Sequence, residues 1–358
     1  MRVFILGSGF SHDADYPLTN QMLVKFDDYV QNDKEGREYQ RPWGQFKEWR
    51  EGQIARGGSQ AHICSTQNPE YLLTYLDIAS MAFPDMDEVL SGKRVKAVHD
   101  GEPSEAAPED PVRDSLRQVM SRYFMSRHGE DNDLEPRNSD KYRKFFNSCV
   151  QDQDVIITFN YDTLAERFLL KSSKWGPGDG YGFKPNLERE SLRGSISKPT
   201  STIRILKLHG SVGWHSGGYL PEDRVTLTTK LLEGFGVVGS SKRDWDDLSN
   251  PVMLAPSFMK MFEHPVYYDL WSKAAHALRD AEDVVVIGYS LPEADAAAVA
   301  LVTGALKYKK SPVLVVDPAA DDLQERYEMV TGRHVSTVNM KFAKWVEAGF
   351  PGSLTAPT

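Results

Sequence analysis

The feature that most constrains this chain is a series of short apolar runs rich in Val and Ile. They are Val3–Leu6, Val155–Thr158, Ile203–Leu208, Val284–Ile287 and Val313–Val316. Apolar runs of this length are typical of strands that are buried on both faces of a parallel sheet. Helical patterns lie between or after them at Thr163–Leu170, Tyr267–Ala281, Ala294–Leu306 and Ala320–Val330. This alternation predicts an α/β fold, Rossmann-like, with a mostly parallel sheet and helices on both faces.

Residues 18–150 interrupt this rhythm. They hold amphipathic segments separated by polar stretches at 31–60, 91–110 and 127–140; the segments are Gln21–Val30, Pro69–Met81, Val112–Ser126 and Lys141–Val150. The pattern predicts a large helical insertion at 18–150 within a Rossmann-like core formed by 1–17 and 151–358. Residues 171–202 and 212–250 look irregular, and we interpret the former, with Tyr181 and Phe183, as a loop that reaches over a site.

Composition excludes several classes of protein. With 358 residues, 40% of them hydrophobic, the chain is long enough to bury a large core. A net charge of -9 argues against direct nucleic-acid binding, which needs clustered Lys and Arg. Cys64 and Cys149 stand alone, which excludes a four-cysteine zinc ribbon, and no metal site is predicted. Few cysteines, no membrane-spanning run and an N-terminal apolar run too short for a signal peptide predict a cytoplasmic protein.

The first predicted strand runs directly into a glycine-rich segment, Gly7-Ser8-Gly9-Phe10-Ser11. Glycines allow a tight turn and a close approach of the backbone to a pyrophosphate, which exposed amides attract. The segment departs from the GxGxxG pattern, since His12 takes the place of the third glycine. A plain turn between strand and loop is the alternative.

Polar residues also follow the next two strands. Asn160 and Asp162 stand at the end of the second strand, where ligands bind in open α/β sheets. Capping of the next helix by Asp162 or Thr163 is the alternative, and it leaves Asn160 unexplained. His209 follows the third strand, placed as a catalytic base would be, although a lone histidine is more often structural.

The last two strands end in the same manner. Gly288, Tyr289 and Ser290 follow one of them, with Ser290 or Asp295 as an alternative cap for the next helix. Asp317 ends the other, where it would bond a ribose hydroxyl or simply belong to a turn. Because a parallel sheet gathers its strand ends along one edge, all five segments are predicted to lie together.

These segments together resemble the sirtuin superfamily, especially its bacterial sirtuin-like NADase branch associated with antiphage defence. The resemblance covers nearly the whole chain in order and spacing, through GSGFS at 7–11, TFNYD at 158–162, KLHGS at 207–211 and GYSLP at 288–292. It implies that NAD⁺ binds as a substrate, without a metal.

The resemblance also implies a role for each matched residue. Asn160 would hold the nicotinamide ribose or the attacking water, and His209 would be the general base. Asp162 would engage the carboxamide. The remaining predicted NAD⁺-binding residues are Gly7, Gly9 and Ser11 for the pyrophosphate, Gly288, Ser290 and Asp317 for the adenosine half, and Ser8, Phe10, Thr158 and Tyr289 from the same segments.

Departures from the sirtuin pattern favour hydrolysis. Phe159 replaces the glutamine that precedes the asparagine in sirtuins, and the zinc ribbon that helps to build the acyl-lysine channel is absent from the sequence. Without a peptide cleft, water becomes the acceptor, which predicts an NAD⁺ hydrolase that releases nicotinamide and ADP-ribose. The alternatives are an NAD⁺-dependent deacylase or ADP-ribosyltransferase, and a non-catalytic module that senses NAD⁺ or ADP-ribose.

An unregulated NAD⁺ hydrolase would harm its own cell. By analogy with defence proteins, we therefore expect control through homo-oligomerisation or through a separately encoded regulator such as a HerA-type ATPase. The helical insertion is the expected contact surface.

Overall fold

The structure is a computed structural model that describes residues 1–66, 68–82, 98–99, 102–103, 111–127, 135–186, 201–215, 225–227, 251–254, 265–292, 295–307 and 311–352. The described residues divide into two compact units. One comprises those within 1–18, 127–254 and 261–358, and the other those within 19–126. The sequence-based division into a core (1–17 and 151–358) and an insertion (18–150) stays a prediction.

A six-stranded sheet forms the centre of the first unit, in the order β11-β10-β9-β1-β4-β5. Its strands are β1 (Arg2–Leu6), β4 (Val155–Thr158), β5 (Arg204–Lys207), β9 (Asp283–Ile287), β10 (Val313–Asp317) and β11 (Ser336–Asn339). Every neighbouring pair is parallel. The chain moves from β1 in one direction to β4 and β5, and in the other to β9, β10 and β11. Right-handed crossovers in opposite directions place helices on opposite faces. The predicted Rossmann-like fold class is confirmed.

The buried strands were the easiest elements to predict. The five predicted runs correspond to β1, β4, β5, β9 and β10, with differences of one residue at some ends. The sixth strand, β11, was not predicted. Its sequence, STVN, is polar and its residues are exposed or half-buried, so it carries no apolar run to mark it.

Helices connect the strands and form the second unit. Those of the first unit are α1 (Ser8–His12), α7 (Ser139–Lys144), α8 (Leu164–Lys171), α9 (Val266–Asp280), α10 (Ala296–Leu306), α11 (Ala320–Thr331) and α12 (Phe342–Glu347). Those of the second are α2 (Met22–Asn32), α3 (Gln40–Arg56), α4 (Gly58–Ser65), α5 (Pro69–Ala82) and α6 (Pro111–Ser126). Short 3₁₀ turns lie at Thr19–Gln21 and Gly36–Tyr39, and a π-helical turn at Phe145–Cys149. Ala294, the predicted start of α10, lies outside the described residues.

The helix α3 corrects the sequence-based interpretation of residues 31–60 as a polar connection. It buries Trp43, Phe46 and Trp49 at three-residue spacing, which is one face of a helix. Pro42 lies in the first turn, where a missing amide hydrogen costs nothing, and Gly57 ends the helix at φ +74°. A glycine and charged residues between these aromatic residues make the helical pattern hard to recognise in the sequence.

Short strands form two further sheets. In the first unit, β6 (Gly210–His215) pairs antiparallel with β7 (Thr226–Leu227) and β8 (Pro251–Met253). In the second, β2 (Val98–His99) pairs with β3 (Glu102–Pro103). The sequence interpretation took 212–250 as irregular, so the sheet of β6 to β8 is a correction. Within the described part of the chain, every helix is too short or too polar to cross a membrane.

The segment around Tyr181 and Phe183 also differs from its predicted role as a loop above a site. The Tyr181 side chain is completely buried and packs edge-on against Trp175 and Trp214. Its hydroxyl donates to Glu166 Oε1 at 3.3 Å. These rings belong to the core. Residues 187–200 of the same predicted loop lie outside the described residues.

Candidate active site

The strand order brings the five segments singled out from the sequence to one edge of the sheet. Along that edge they follow one another as Asp317, Gly288–Ser290, Gly7–Ser11, Thr158–Asp162 and His209. Neighbouring strands lie about 4.8 Å apart, so the five ends span about 19 Å. The chain reverses its direction of travel between β1 and β9, which is the switch point where open α/β sheets bind ligands.

The loops after β1 and β9 pack on each other through glycines. A Cβ on Gly7 would lie 2.5 Å from Gly288 O, and one on Gly288 would lie 2.3 Å from the Phe10 nitrogen. Gly288 also has φ +61°, a conformation that side chains disfavour. The amides of Gly7 and Gly9 donate to Ile287 O and Gly288 O at 3.1 and 2.9 Å. The glycines are therefore required for loop packing, whatever the loops bind.

The other residues of the first loop point in different directions. The Phe10 ring is buried and packs against Tyr142, Phe145 and Phe342 in an aromatic core. Ser11 is buried, with its hydroxyl toward Asn160. The Ser8 amide begins α1 and has no acceptor within the described residues.

Asn160 is fixed on the glycine-rich loop by its side chain. Its Nδ2 donates to Gly7 O at 2.8 Å and contacts Ser11 Oγ at 2.9 Å. Because a carbonyl oxygen only accepts, the Gly7 contact turns the amide nitrogen toward the loop and Oδ1 away from it. Among the described residues no donor contacts Oδ1. The half-buried side chain thus offers a fixed acceptor.

Thr158 and Asp162 support the backbone on either side of Asn160. Thr158 Oγ1 donates to Leu6 O at 3.2 Å and accepts from the Asn160 amide at 3.1 Å. Asp162 Oδ1 accepts from the Leu164 amide at 3.0 Å and so supports the first residue of α8, whose N-cap position is Thr163 without a side-chain cap hydrogen bond. Both side chains are buried.

A buried ion pair lies beside this segment. Lys207 Nζ is 3.1 Å from Glu166 Oε1, with both side chains 1% exposed, and it also donates to Asp162 O. Burial raises the pKa of the Glu166 carboxyl, and Lys207 opposes that rise. The pair connects the end of β5 to the Asp162 backbone and so fixes the segment that carries Asn160.

His209 is held at a sharp turn between β5 and β6. Its carbonyl accepts from the Leu254 amide at 2.9 Å. Gly210 adopts φ +78°, and a Cβ there would lie 2.1 Å from Val252 O, so no other residue fits. The backbone therefore fixes the point from which the imidazole projects.

Aromatic rings and one carboxylate surround the imidazole. His209 is 7% exposed, and its ring lies edge-on to Phe159, with centroids 5.0 Å apart. Phe159 stacks on Tyr289 at 4.3 Å. His209 Nε2 lies 3.1 Å from Asp295 Oδ2, an ion-pair distance, although the ring N–H is not aligned on that oxygen.

For Asp295 the sequence predicts only an alternative cap of the helix that follows β9. Asp295 does cap α10, since Oδ1 accepts from the Ala298 amide at 3.2 Å. Its contact with His209 was missed, because the two residues are far apart in sequence and only the fold joins them. An acidic residue shortly after the GYSLP segment is the one signal that pointed to it.

The loop after β9 has a strained backbone and is held by hydrogen bonds from α11. Leu291 is completely buried at φ +47°, a conformation that costs roughly 1–3 kcal/mol. Arg326 donates to Ser290 O at 2.9 Å and Tyr327 to Tyr289 O at 2.6 Å. The Ser290 side chain is exposed. These contacts keep Tyr289 on Phe159.

Asp317 stands at the far end of the edge. Its Oδ1 accepts from the Ala319 amide at 2.9 Å, as in an ordinary turn. Burial raises the pKa of this half-buried carboxyl, and the hydrogen bond from Ala319 opposes the rise. Among the described residues, no group of three or more His, Cys, Asp or Glu is arranged to hold a metal.

The sheet and its strand ends define a Rossmann-like protein with a polar site at the switch point. Residues 154–331 match the family model of the SIR2-like domain. The matched region contains Asn160, His209, Asp295 and Asp317, while the Gly7–Ser11 loop lies outside it. No curated protein sequence matches the chain.

Solved structures of Sir2 enzymes are similar to this chain at low identity. One, from work on the mechanism and regulation of Sir2 enzymes, has 13% identity and a TM-score of 0.41, with 97% of this chain and 90% of that chain covered. A Sir2 complex with the inhibitor EX-527, 2′-O-acetyl-ADP-ribose and deacetylated p53 peptide has 13% identity and a TM-score of 0.38, with 97% and 91% covered. A Sir2 complex with p53 peptide and NAD⁺ has 13% identity and a TM-score of 0.34, with 97% and 91% covered. These scores reflect a loose likeness, and the fold assignment depends on the sheet itself.

Proposed function

We propose that this protein is an NAD⁺ hydrolase that cleaves the bond between nicotinamide and ribose. The observation that carries the proposal is the fixed Asn160 amide, which Gly7 O and Ser11 Oγ hold with its oxygen directed away from the loop. The match of residues 154–331 to the SIR2-like domain supports the choice of NAD⁺.

The side chains along the edge suit the parts of NAD⁺. Ribose hydroxyls are donors, and Asn160 Oδ1 is an acceptor without a donor among the described residues. The Ser8 amide suits the pyrophosphate, and the Asp317 carboxylate suits a hydroxyl of the adenosine ribose. Asp162 is assigned to the carboxamide, and Tyr289 to the wall of the site.

The proposed reaction needs orientation and a base. The C–N bond breaks with its electron pair going to nicotinamide, and positive charge develops on the ribose. Water adds to the anomeric carbon and its proton passes to His209, so the products are nicotinamide, ADP-ribose and one proton. Asn160 holds the ribose in the reactive orientation. A positioned base typically contributes about 10²–10⁴-fold to such a step.

Product analysis tests the proposal. Purified protein is incubated with NAD⁺ alone, and nicotinamide and ADP-ribose are measured by mass spectrometry. We expect both products in equal amounts, and their loss in Asn160→Ala and His209→Ala. Nicotinamide release that appears only when an acylated peptide or a protein acceptor is added would instead indicate a deacylase or a transferase. NAD⁺ that is bound but never cleaved would indicate a sensor.

The biological setting belongs to the same proposal. We assign the hydrolase to antiphage defence in the cytoplasm, with activity held back by homo-oligomerisation or by a separately encoded HerA-type ATPase. Control is expected because unrestrained hydrolysis would deplete the host cell of NAD⁺. Activity measured across a range of protein concentrations, with and without such a partner, tests this part.

A further inference from the structure

We propose that Asp295 is the counter-ion of His209, holding the imidazole and stabilising its protonated form. The inference deepens the proposed function, since it assigns a positioning residue to the base of that reaction. It begins from a physical difficulty in the site. The His209 side chain is 9% exposed and its ring lies among aromatic side chains. A proton accepted in such surroundings places a positive charge away from water, which is unfavourable unless an opposite charge is near.

Asp295 supplies that charge. Its Oδ2 lies 3.1 Å from His209 Nε2, and its residue is 2% exposed, so water screens the interaction little. The ring N–H is not aligned on the oxygen. Hydrogen bonds of catalytic groups are often poorly aligned before substrate binds and tighten in the complex.

The carboxylate is fixed by groups on two elements. Its Oδ1 caps α10 through the Ala298 amide at 3.2 Å, and its Oδ2 accepts from the Tyr289 hydroxyl at 3.0 Å. Both donors favour the ionised carboxylate, as does the positive end of the helix dipole at this cap. In the proposed reaction Asp295 serves as the ionised counter-charge, and the proton from water remains on His209.

Neutral aromatic side chains also contact the His209 ring. Among the described residues, Phe159 and Tyr161 face the imidazole. The Tyr289 hydroxyl donates to Asp295, and the Tyr267 hydroxyl lies close to Gly210. Asp295 is the carboxylate in this set. Its removal should therefore change the titration of His209 more than any other single substitution around the ring.

Two measurements on Asp295→Asn test the inference. Asparagine keeps a capping oxygen for α10 and removes the charge. In the ligand-free protein, the ring signals of His209 are followed by NMR as the pH changes, with His209→Gln used to assign them. We expect the titration midpoint to fall by about one pH unit in Asp295→Asn. The acid limb of the pH profile of kcat/KM for NAD⁺ should move to lower pH by the same amount. The plateau of kcat/KM should fall by about tenfold at most.

The controls separate this inference from the proposed function. Asp280→Asn makes the same substitution at an exposed position and should leave the midpoint unchanged. If Asp295→Asn does not fold, Asp295→Ser keeps a capping oxygen and replaces it. An unchanged His209 midpoint in the folded variant overturns the inference, whether or not the protein cleaves NAD⁺. A lowered His209 midpoint supports the pairing of His209 with Asp295. If the midpoint is lowered but the protein does not cleave NAD⁺, the pairing stands and only the proposed function fails.

Discussion

Asn160 and Ser11 are joined at 2.9 Å between Nδ2 and Oγ, which ties the loop after β1 to the loop after β4. The same nitrogen bonds Gly7 O, so the orientation of the amide depends on a loop that lies far away in sequence. In the proposed reaction, this contact sets the direction of the acceptor that holds the ribose.

The substitution Ser11→Ala is therefore expected to lower kcat for NAD⁺ cleavage about tenfold, with a smaller change in KM. It removes one hydrogen bond to Asn160, worth about 1 kcal/mol, and lets the amide leave its reactive orientation. Steady-state kinetics checks this. Ser272→Ala, at an exposed position on α9, is the matched control and should keep the parental kcat. Equal kcat in both variants would show that Ser11 does not orient Asn160.

Glycine packing between the loops makes a second prediction. Gly288→Ala should lower the free energy of unfolding by roughly 1–3 kcal/mol, because its Cβ meets the Phe10 backbone and its φ is +61°. Gly304→Ala makes the same change in α10, where the new Cβ meets nothing within 4 Å. That variant should gain about 0.5–1 kcal/mol. Urea unfolding measures both values, and a neutral Gly288→Ala would contradict the described packing.

Asp317 should have opposite effects on stability and on binding. Burial raises the pKa of this carboxyl, so its ionised form disfavours the folded state. At pH values above that raised pKa, Asp317→Asn should therefore raise the melting temperature. At pH values below the ordinary Asp pKa of about 3.9, the gain should vanish. The same variant should bind NAD⁺ about tenfold more weakly, through the loss of a charged acceptor. Exposed Asp322→Asn is the control for both measurements, and unchanged NAD⁺ affinity in Asp317→Asn would remove Asp317 from the site.

The buried pair of Lys207 and Glu166 predicts a large loss of stability. Lys207→Met leaves the buried Glu166 carboxylate without its cationic partner, which costs about 3–5 kcal/mol. Burial already raises the pKa of Glu166, so the loss should shrink as the pH falls and the carboxyl takes up a proton. Urea unfolding at several pH values checks the sign. Exposed Lys25→Met should change little, and a loss independent of pH would contradict the assigned charge on Glu166.

The sequence predicted the fold where burial leaves a simple pattern. Strands such as β4 and β9 are apolar at nearly every position, because helices cover both faces of the sheet. The edge strand β11 and the helix α3 have polar or exposed faces. Their hydrophobic patterns are therefore too weak to mark them in the sequence. Both depend on tertiary packing for their stability.

The candidate site was predictable in its location and less so in its contacts. Parallel strands gather their carboxyl ends, so the placement of Asn160 and His209 on one edge followed from the strand assignments. The burial of Phe10 in an aromatic core and the pairing of His209 with Asp295 did not follow, because they depend on the directions of side chains from distant segments.

The rate of nicotinamide release from NAD⁺ by the parental protein, Asn160→Ala, His209→Ala and the double variant, at matched purity, decides whether Asn160 and His209 act together in the cleavage. We predict that each single substitution lowers the rate at least about 10²-fold and that the double variant is no slower than the poorer single one, since groups that act as a unit on one bond are not additive. Release at the parental rate by both single variants would mean that neither side chain takes part in the cleavage.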